Sequence, residues 1–174
     1  NLVHKGCMMT LYLDMDGVIA DFFSLLAKEN NVTHWKSIKD KELALVKVRN
    51  TDFFNKIDKF DSAITLIDYA RTLDGWGICS SPLRGDRDNS AYWKRVWLQR
   101  HGWMPEVENC IFTSNKHKYA INRLTGEPNI LVDDKQDNII RWGAAGGIGI
   151  RYQADEDDVD DLIGEIQGAI DGIS

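Results

Sequence analysis

Short apolar runs alternate along this chain with longer segments of helical periodicity. Buried parallel strands have near-continuous apolar runs, whereas amphipathic helices repeat apolar positions every three to four residues. The alternation therefore predicts an α/β fold, a doubly wound, Rossmann-like parallel sheet with helices on both faces. The predicted strands are residues 11–13, 77–79, 110–113, 130–132 and 149–151, and the predicted helices between them are residues 62–73, 90–99 and 136–144.

One interval does not follow the strand and helix alternation. Residues 22–28 and 39–49 have helical periodicity, but no apolar strand lies between them. We predict that residues 22–59 are a small helical cap inserted after the first strand, and that residues 10–21 and 60–174 form the sheet domain. Residues 1–9 do not begin with Met and precede the first strand, so we interpret them as an upstream extension or a tag.

Composition limits the class of protein. The chain has 174 residues, 43% of them hydrophobic, which is enough for the core of one domain. Its net charge of −6 argues against an extended nucleic-acid surface, and no apolar run reaches the length of a membrane span. Cys7, Cys79 and Cys110 form an odd set without metal-ligand spacing, which favours a reducing, cytoplasmic location. Cys79 lies inside an apolar strand, where a core role is expected.

The first predicted strand runs directly into two carboxylates and a glycine. Asp14 and Asp16 are one residue apart, and Gly17 allows the chain to turn sharply after them. Two carboxylates at the end of a strand are suited to one Mg²⁺ ion, which prefers oxygen ligands and often binds substrate phosphate as well. A strand that ends in a polar turn is the alternative interpretation of this segment.

Three further segments carry groups suited to a phosphate and a metal. Ser80 and Ser81 follow the second predicted strand, and Asp133 and Asp134 follow the fourth. Two of the lysines between these segments, Lys94 and Lys116, are candidates to reach a phosphate. Because the carboxyl ends of parallel strands share one edge of a sheet, these groups together predict a phosphate and metal site. For each lysine, the alternative is a solvated surface position.

These motifs, in this order, resemble the haloacid dehalogenase-like superfamily. Residues 14–22 (DMDGVIADF) and 78–82 (ICSSP) are most similar to the 5'(3')-deoxyribonucleotidase family, and residues 133–150 resemble its phage and bacterial members. The similarity covers most of residues 10–152. The chain departs from the family at Ser80, where many members have Thr, and in a longer segment between Lys116 and Asp133. Ser80 retains the hydroxyl group, so the first departure does not change the expected chemistry. The longer segment affects the choice between the two lysines as the catalytic one.

The resemblance implies a Mg²⁺-dependent phosphatase that hydrolyses nucleoside monophosphates through an aspartyl-phosphate intermediate. Asp14 is then the nucleophile, and Asp16 is the acid that later serves as the base. Ser80, the Ser81 amide and a lysine bind the phosphate, with Lys116 favoured over Lys94. The expected metal ligands are Asp14, the backbone carbonyl of Asp16, and Asp133 or Asp134.

The resemblance also implies that aromatic residues of the cap stack on the nucleobase. Phe22 matches a family position with that role, whereas Trp35, Phe53 and Phe54 are looser matches. Phe22 is equally suited to the core, and for the other three side chains a place in the core is the favoured alternative.

Other functions are compatible with the same motifs. A 3'-phosphatase of nucleic-acid ends and another small-molecule phosphatase are the enzymatic alternatives, and an inactive phosphate-binding regulatory module is the third. The expected partner is a small-molecule substrate, with no membrane. The oligomeric state stays open, and a homodimer is one alternative. The source of the chain stays open as well, and a phage protein that acts in the host cytoplasm is one alternative.

Overall fold

The sheet is the centre of the fold. The computed structural model describes residues 9–173, and its strands are β1 (Leu11–Leu13), β2 (Trp76–Ser80), β3 (Cys110–Phe112), β4 (Ile130–Asp133) and β5 (Ile148–Arg151). All are parallel, in the order β3-β2-β1-β4-β5. The chain starts in the middle of the sheet and winds outward in both directions. This topology confirms the predicted doubly wound α/β fold.

Strand register brings the functional residues to one edge. β1 and β4 are apolar and buried on both faces, as central parallel strands are. Leu13 pairs with Val132, and the Asp14 amide donates to the Val132 carbonyl at 2.9 Å. Asp14 follows β1, while Ser80 and Asp133 are the last residues of β2 and β4. The three side chains therefore emerge at the same carboxyl edge.

Each helix predicted from periodicity is present with slightly shifted ends. α4 begins at Arg87 rather than at residue 90, because its first turn is polar and carries no apolar signal. Asp40 precedes α2, and its side chain accepts from the Leu43 amide, which fixes the start of that helix. The helices are α1 (Phe22–Glu29), α2 (Lys41–Val48), α3 (Ser62–Arg71), α4 (Arg87–Arg100), α5 (Gln136–Ala144) and α6 (Val159–Ile173).

The helical insertion packs into the core of the sheet domain. α1, α2 and two short 3₁₀ turns occupy residues 22–59, and an antiparallel bridge between Ala20 and Lys59 joins the two ends. Phe22 and Phe53 belong to the same apolar cluster as Leu13 of β1. One hydrophobic core therefore supports both the insertion and the sheet.

The first described residue already belongs to the core. Met9, which we assigned to the extension, is 4% exposed and packs in the main core. Residues 1–8 of that extension, which include Cys7, lie outside the described residues.

The acidic residues 155–158 lead directly into α6. Asp158 Oδ1 accepts from the amides of Asp160 and Asp161 and so fixes the start of this helix. No helix in residues 9–173 combines the length and apolar character needed to cross a membrane.

Candidate active site

A buried lysine joins two carboxylates at the carboxyl edge of the sheet. Lys116 Nζ donates to Asp14 Oδ1 at 3.0 Å and to Asp133 Oδ2 at 2.7 Å. All three side chains are buried, and Asp133 is fully enclosed. Burial alone lowers the pKa of Lys116, but the two carboxylates outweigh that effect and raise it. The ammonium group is therefore charged and holds both acids in place.

Asp134 adds a third carboxylate to this group. Oxygens of Asp14, Asp133 and Asp134 lie within 4.8 Å of one another. Burial, followed by the Asp133 charge, raises the pKa of Asp14 to about 7. Burial, followed by the Asp14 and Asp133 charges, raises the pKa of Asp134 to about 9. One lysine does not balance three carboxylates.

This donor set fits Mg²⁺. Carboxylate oxygens are the ligands that a hard divalent cation prefers, and the surplus negative charge is what such a cation neutralises. Asp133 already accepts from Lys116, from Asn138 Nδ2 at 3.0 Å and from the Lys135 amide at 2.9 Å. Asp134 therefore has more capacity left for a metal than Asp133 does. The Asp16 carboxylate is not part of this group, so its expected contribution remains the backbone carbonyl.

A glycine is required where the chain turns beneath the carboxylates. Gly17 has φ +82°, a conformation that side chains disfavour. A Cβ atom at this position would lie 2.3 Å from Asp134 Oδ2. The turn thus brings the β1 end into direct contact with the β4 end, with no space for a larger residue.

A second buried lysine lies beside the first site. Lys94 Nζ, on α4, donates to Asp16 Oδ2 at 3.1 Å, to Ser80 Oγ at 2.8 Å and to the Ser81 carbonyl at 2.9 Å. Lys94 and Ser80 are 1% and 0% exposed. Of the predicted phosphate-binding groups, Ser81 and Lys116 line the neighbouring cleft, whereas Ser80 and Lys94 lie beneath its floor.

The cleft above these residues is about 520 Å³ in volume. Its floor is formed by Asp14, Asp16 and the other carboxylates, with Lys116 among them. One wall is aromatic: Phe23 and Trp35 contact each other with ring centroids 4.9 Å apart. On the rim lie Gln153, Asp155 and Glu156, in the loop after β5. The cleft is thus charged at its base and apolar along one side.

Comparison with known proteins rests on structure alone. No family model matches the sequence, and no curated protein matches it. A magnesium-bound HAD hydrolase from Bacillus subtilis superposes with a TM-score of 0.59 at 13% identity, covering 91% of this chain and 98% of that one. A subfamily IA hydrolase of the HAD superfamily from Geobacter sulfurreducens gives 0.57 at 11% identity, with coverage of 92% and 99%. A HAD family hydrolase from Deinococcus radiodurans, solved with phosphate and sodium, gives 0.51 at 14%, with coverage of 92% and 94%.

This protein has the haloacid dehalogenase-like fold. The sequence motifs that resemble this superfamily occupy its strand ends: Asp14 after β1, Ser80 at the end of β2, and Asp133 at the end of β4. Lys116 lies in a short 3₁₀ turn a few residues after β3. In a parallel sheet these are the positions from which side chains reach a common ligand.

The haloacid dehalogenase-like fold does not place all four predicted aromatic residues at the cleft. Trp35 and Phe22 line it, but Phe22 is only 8% exposed and packs against three other phenylalanines. Phe53 and Phe54 are 1% and 3% exposed and do not line the cleft. The expectation that these two contact a nucleobase is therefore corrected, because their turn packs against α4 in the core.

Phe23 and His34 are among the lining residues that the sequence analysis did not predict. Phe23 follows Phe22 on α1, and a helix turns by 100° per residue, so the two rings leave it in different directions. Phe23 and Ala27 are four residues apart and share the cleft face. This spacing of four residues is the sequence signal that could have placed Phe23 at the cleft. His34 also lines the cleft beside Trp35, with ring centroids 6.2 Å apart.

The buried thiol near the site is not a nucleophile. Cys79 is fully buried in β2, and burial raises the pKa of its thiol to about 12. It is therefore protonated at neutral pH and serves as the core residue that the sequence predicted.

Proposed function

We propose that this protein is a Mg²⁺-dependent phosphatase that hydrolyses nucleoside monophosphates through an aspartyl-phosphate intermediate. The observation that carries the proposal is the buried group of Asp14, Asp133 and Asp134 around Lys116, at the base of a cleft with an aromatic wall. The haloacid dehalogenase-like fold of magnesium-bound and phosphate-bound hydrolases supports it.

Asp14 is the proposed nucleophile. Its carboxylate lines the cleft and attacks phosphorus, a bond forms between Asp14 and the phosphoryl group, and the bond to the ester oxygen breaks. Lys116 fixes the carboxylate through Oδ1 and offsets part of the effect by which burial and the Asp133 charge raise its pKa. The same ammonium is placed to stabilise charge on the phosphoryl oxygens.

Asp16 is the proposed acid and base. In the first step it gives a proton to the departing ester oxygen. In the second it takes a proton from the water that attacks the aspartyl-phosphate, which releases inorganic phosphate and restores Asp14. Asp16 lines the same cleft as Asp14, as this alternation requires.

Asp14, Asp134 and the Asp16 carbonyl would hold Mg²⁺, with Asp133 supporting them from below. When bound, the ion supplies positive charge that offsets repulsion between the carboxylates and the substrate phosphate. The crowding of the three side chains and their raised pKa values support this assignment.

The substrate class follows from the cleft. About 520 Å³ suits a small molecule, and the rings of Phe23 and Trp35 offer an apolar face to a nucleobase while phosphate reaches Lys116. Asp155 and Glu156 on the rim disfavour a nucleic-acid end, since further phosphates would meet like charge there.

The test is phosphate release from a panel of ribo- and deoxyribonucleoside monophosphates, with 5' or 3' phosphate, together with non-nucleotide phosphate esters. We expect nucleoside monophosphates to be the better substrates, with turnover lost in chelator and restored by Mg²⁺. Equal rates on simple esters would reduce the proposal to a general small-molecule phosphatase. Binding of phosphate with no turnover of any ester would indicate a regulatory module.

A further inference from the structure

The ammonium group of Lys94 has no donor left for a substrate. A lysine carries three N–H donors. In this structure Asp16 Oδ2, Ser80 Oγ and the Ser81 carbonyl accept them at 2.8 to 3.1 Å. The side chain is 1% exposed, so water does not compete for these bonds. A phosphate oxygen could bind Lys94 only if one of the three were broken.

The insertion supplies a further contact to this ammonium. Nζ lies 4.9 Å from the centre of the Phe54 ring, within the range of a cation–π interaction. Phe54 thus contacts the lysine rather than the cleft. The charge of Lys94 is surrounded by one carboxylate, two neutral oxygens and an aromatic face.

The two carboxylate oxygens of Asp16 differ in their contacts. Lys94 binds Oδ2, whereas Oδ1 is buried and has no hydrogen-bond partner among the described residues. A buried oxygen without a partner is uncommon and calls for an explanation. The Asp16 side chain is 25% exposed although Oδ1 is buried, so Oδ2, the oxygen that Lys94 holds, is the carboxylate oxygen that an ester oxygen or a water in the cleft can reach.

We propose that Lys94 is a positioning residue that orients Asp16 and Ser80, and not a ligand of the phosphate. This inference rests on the proposed phosphatase function. Lys94 holds the Asp16 carboxylate so that its exposed oxygen, Oδ2, exchanges the proton with the leaving oxygen and then with water. Because Ser80 Oγ accepts from Lys94, the serine O–H is also directed toward another acceptor.

The test compares two substrates in Lys94→Met. A nucleoside monophosphate has a poor leaving group that needs a proton from Asp16, whereas p-nitrophenyl phosphate releases a phenolate that does not. We expect the variant to turn over the nucleotide about 100-fold or more slowly, in line with loss of general acid catalysis. Its first turnover of p-nitrophenyl phosphate should change much less, which gives a burst of p-nitrophenolate before a slow steady state, and the KM of neither substrate should rise.

Matched variants separate this role from others. Lys47→Met removes an exposed lysine of α2 and should behave as the wild type. Lys94→Gln offers two N–H donors and should recover part of the nucleotide rate. An equal loss on both substrates with raised KM would mean that Lys94 binds phosphate, and unchanged kinetics would mean that it positions nothing. Either result overturns the proposal.

A crystal structure of Lys94→Met keeps the inference testable if the wild type releases no phosphate from any ester. In that case the proposed function fails on its own. Displaced Asp16 and Ser80 side chains would then support the positioning role, and side chains in their wild-type positions would overturn it.

Discussion

Lys116 Nζ lies 3.0 Å from Asp14 Oδ1, although 102 residues separate the two in sequence. The contact joins the 3₁₀ turn after β3 to the end of β1, and both side chains are buried at the base of the cleft. The same ammonium also binds Asp133, so one positive charge serves two buried carboxylates. The stability of the site and its chemistry therefore depend on a single lysine.

Lys116→Met should destabilise the metal-free protein strongly. The change leaves Asp14 and Asp133 buried without their counter-ion, and breaking a buried pair in this way costs about 3 to 5 kcal/mol. The measurement is the free energy of unfolding in urea. Adding Asp14→Asn to the same chain should recover part of the loss, because one uncompensated charge is removed. A cost below about 1 kcal/mol would contradict the role assigned to this lysine.

Asp14→Asn should remove turnover while the fold is retained. An amide keeps the shape and the Oδ1 acceptor for Lys116, but it does not attack phosphorus. Loss of a nucleophile lowers kcat by several orders of magnitude, so phosphate release should fall about 1000-fold or more. The thermal midpoint should change little. Turnover near the wild-type rate would exclude the covalent route.

Mg²⁺ should stabilise the protein more at pH 8 than at pH 5. The pKa values of Asp14 and Asp134 in the folded state, about 7 and about 9, lie above the ordinary value of 3.8. The folded state therefore binds more protons than the unfolded state between these values, and metal-free stability falls as the pH rises from about 4 to about 9. Magnesium relieves this penalty and competes with protons for the same oxygens. Thermal midpoints measured with Mg²⁺ and with chelator across this range test the prediction, and Asp134→Asn should flatten the metal-free curve.

Gly17→Ala should weaken Mg²⁺ binding. A Cβ atom would displace Asp134 Oδ2, 2.3 Å away, and the positive φ adds a strain of about 1 to 2 kcal/mol. Gly102 is the matched control, since it has φ +71° but a Cβ atom added there would meet no other atom within 4 Å. Gly102→Ala should lose stability of similar size and keep its magnesium affinity, measured by calorimetry. Equal affinities in the two variants would show that Asp134 does not bind the metal.

Trp35→Leu should reduce activity on nucleotides selectively. Stacking of a base on an aromatic ring contributes about 1 to 3 kcal/mol, so kcat/KM for a nucleoside monophosphate should fall about tenfold or more. A small ester without a base should be affected much less. Phe53→Leu, in the core, should lower stability without this selectivity, and Phe22→Leu should do the same because its ring is packed among phenylalanines. An equal loss on both substrates in Trp35→Leu would remove the support for a nucleobase on this wall.

The sequence predicted the sheet and its acidic strand ends because both depend on local patterns. Central parallel strands are uniformly apolar, and residues that follow them share an edge, so the amino-acid pattern alone predicts that Asp14 and Asp133 are close. The functions of the two lysines depend on contacts between distant segments. Lys94 and Lys116 are both buried, and only the three-dimensional arrangement shows that one faces the cleft while the other is saturated beneath it.

The aromatic residues were harder to assign for a related reason. Four of them are the same residue type, so hydrophobicity does not distinguish them. The local sequence does not show which ring faces the core: Phe22, Phe23, Phe53 or Phe54. Phe53 and Phe54 are buried because their 3₁₀ turn packs on α4, more than thirty residues further along the chain. Trp35 lines the cleft from a short turn with polar neighbours, and its contact with a nucleobase stays a prediction.

The shared core of the insertion and the sheet governs how molecules enter and leave. Swinging the insertion away would bring Phe22, Phe53 and their neighbours into water, at about 1.5 to 3 kcal/mol for each large apolar side chain. We therefore expect ligands to enter and leave through the opening that the cleft already has in this structure. Seven carboxylates and three lysines line that route, so an anionic substrate approaches against a negative field until the metal is bound. For the proposed function we therefore expect the cation to bind first and the phosphate second.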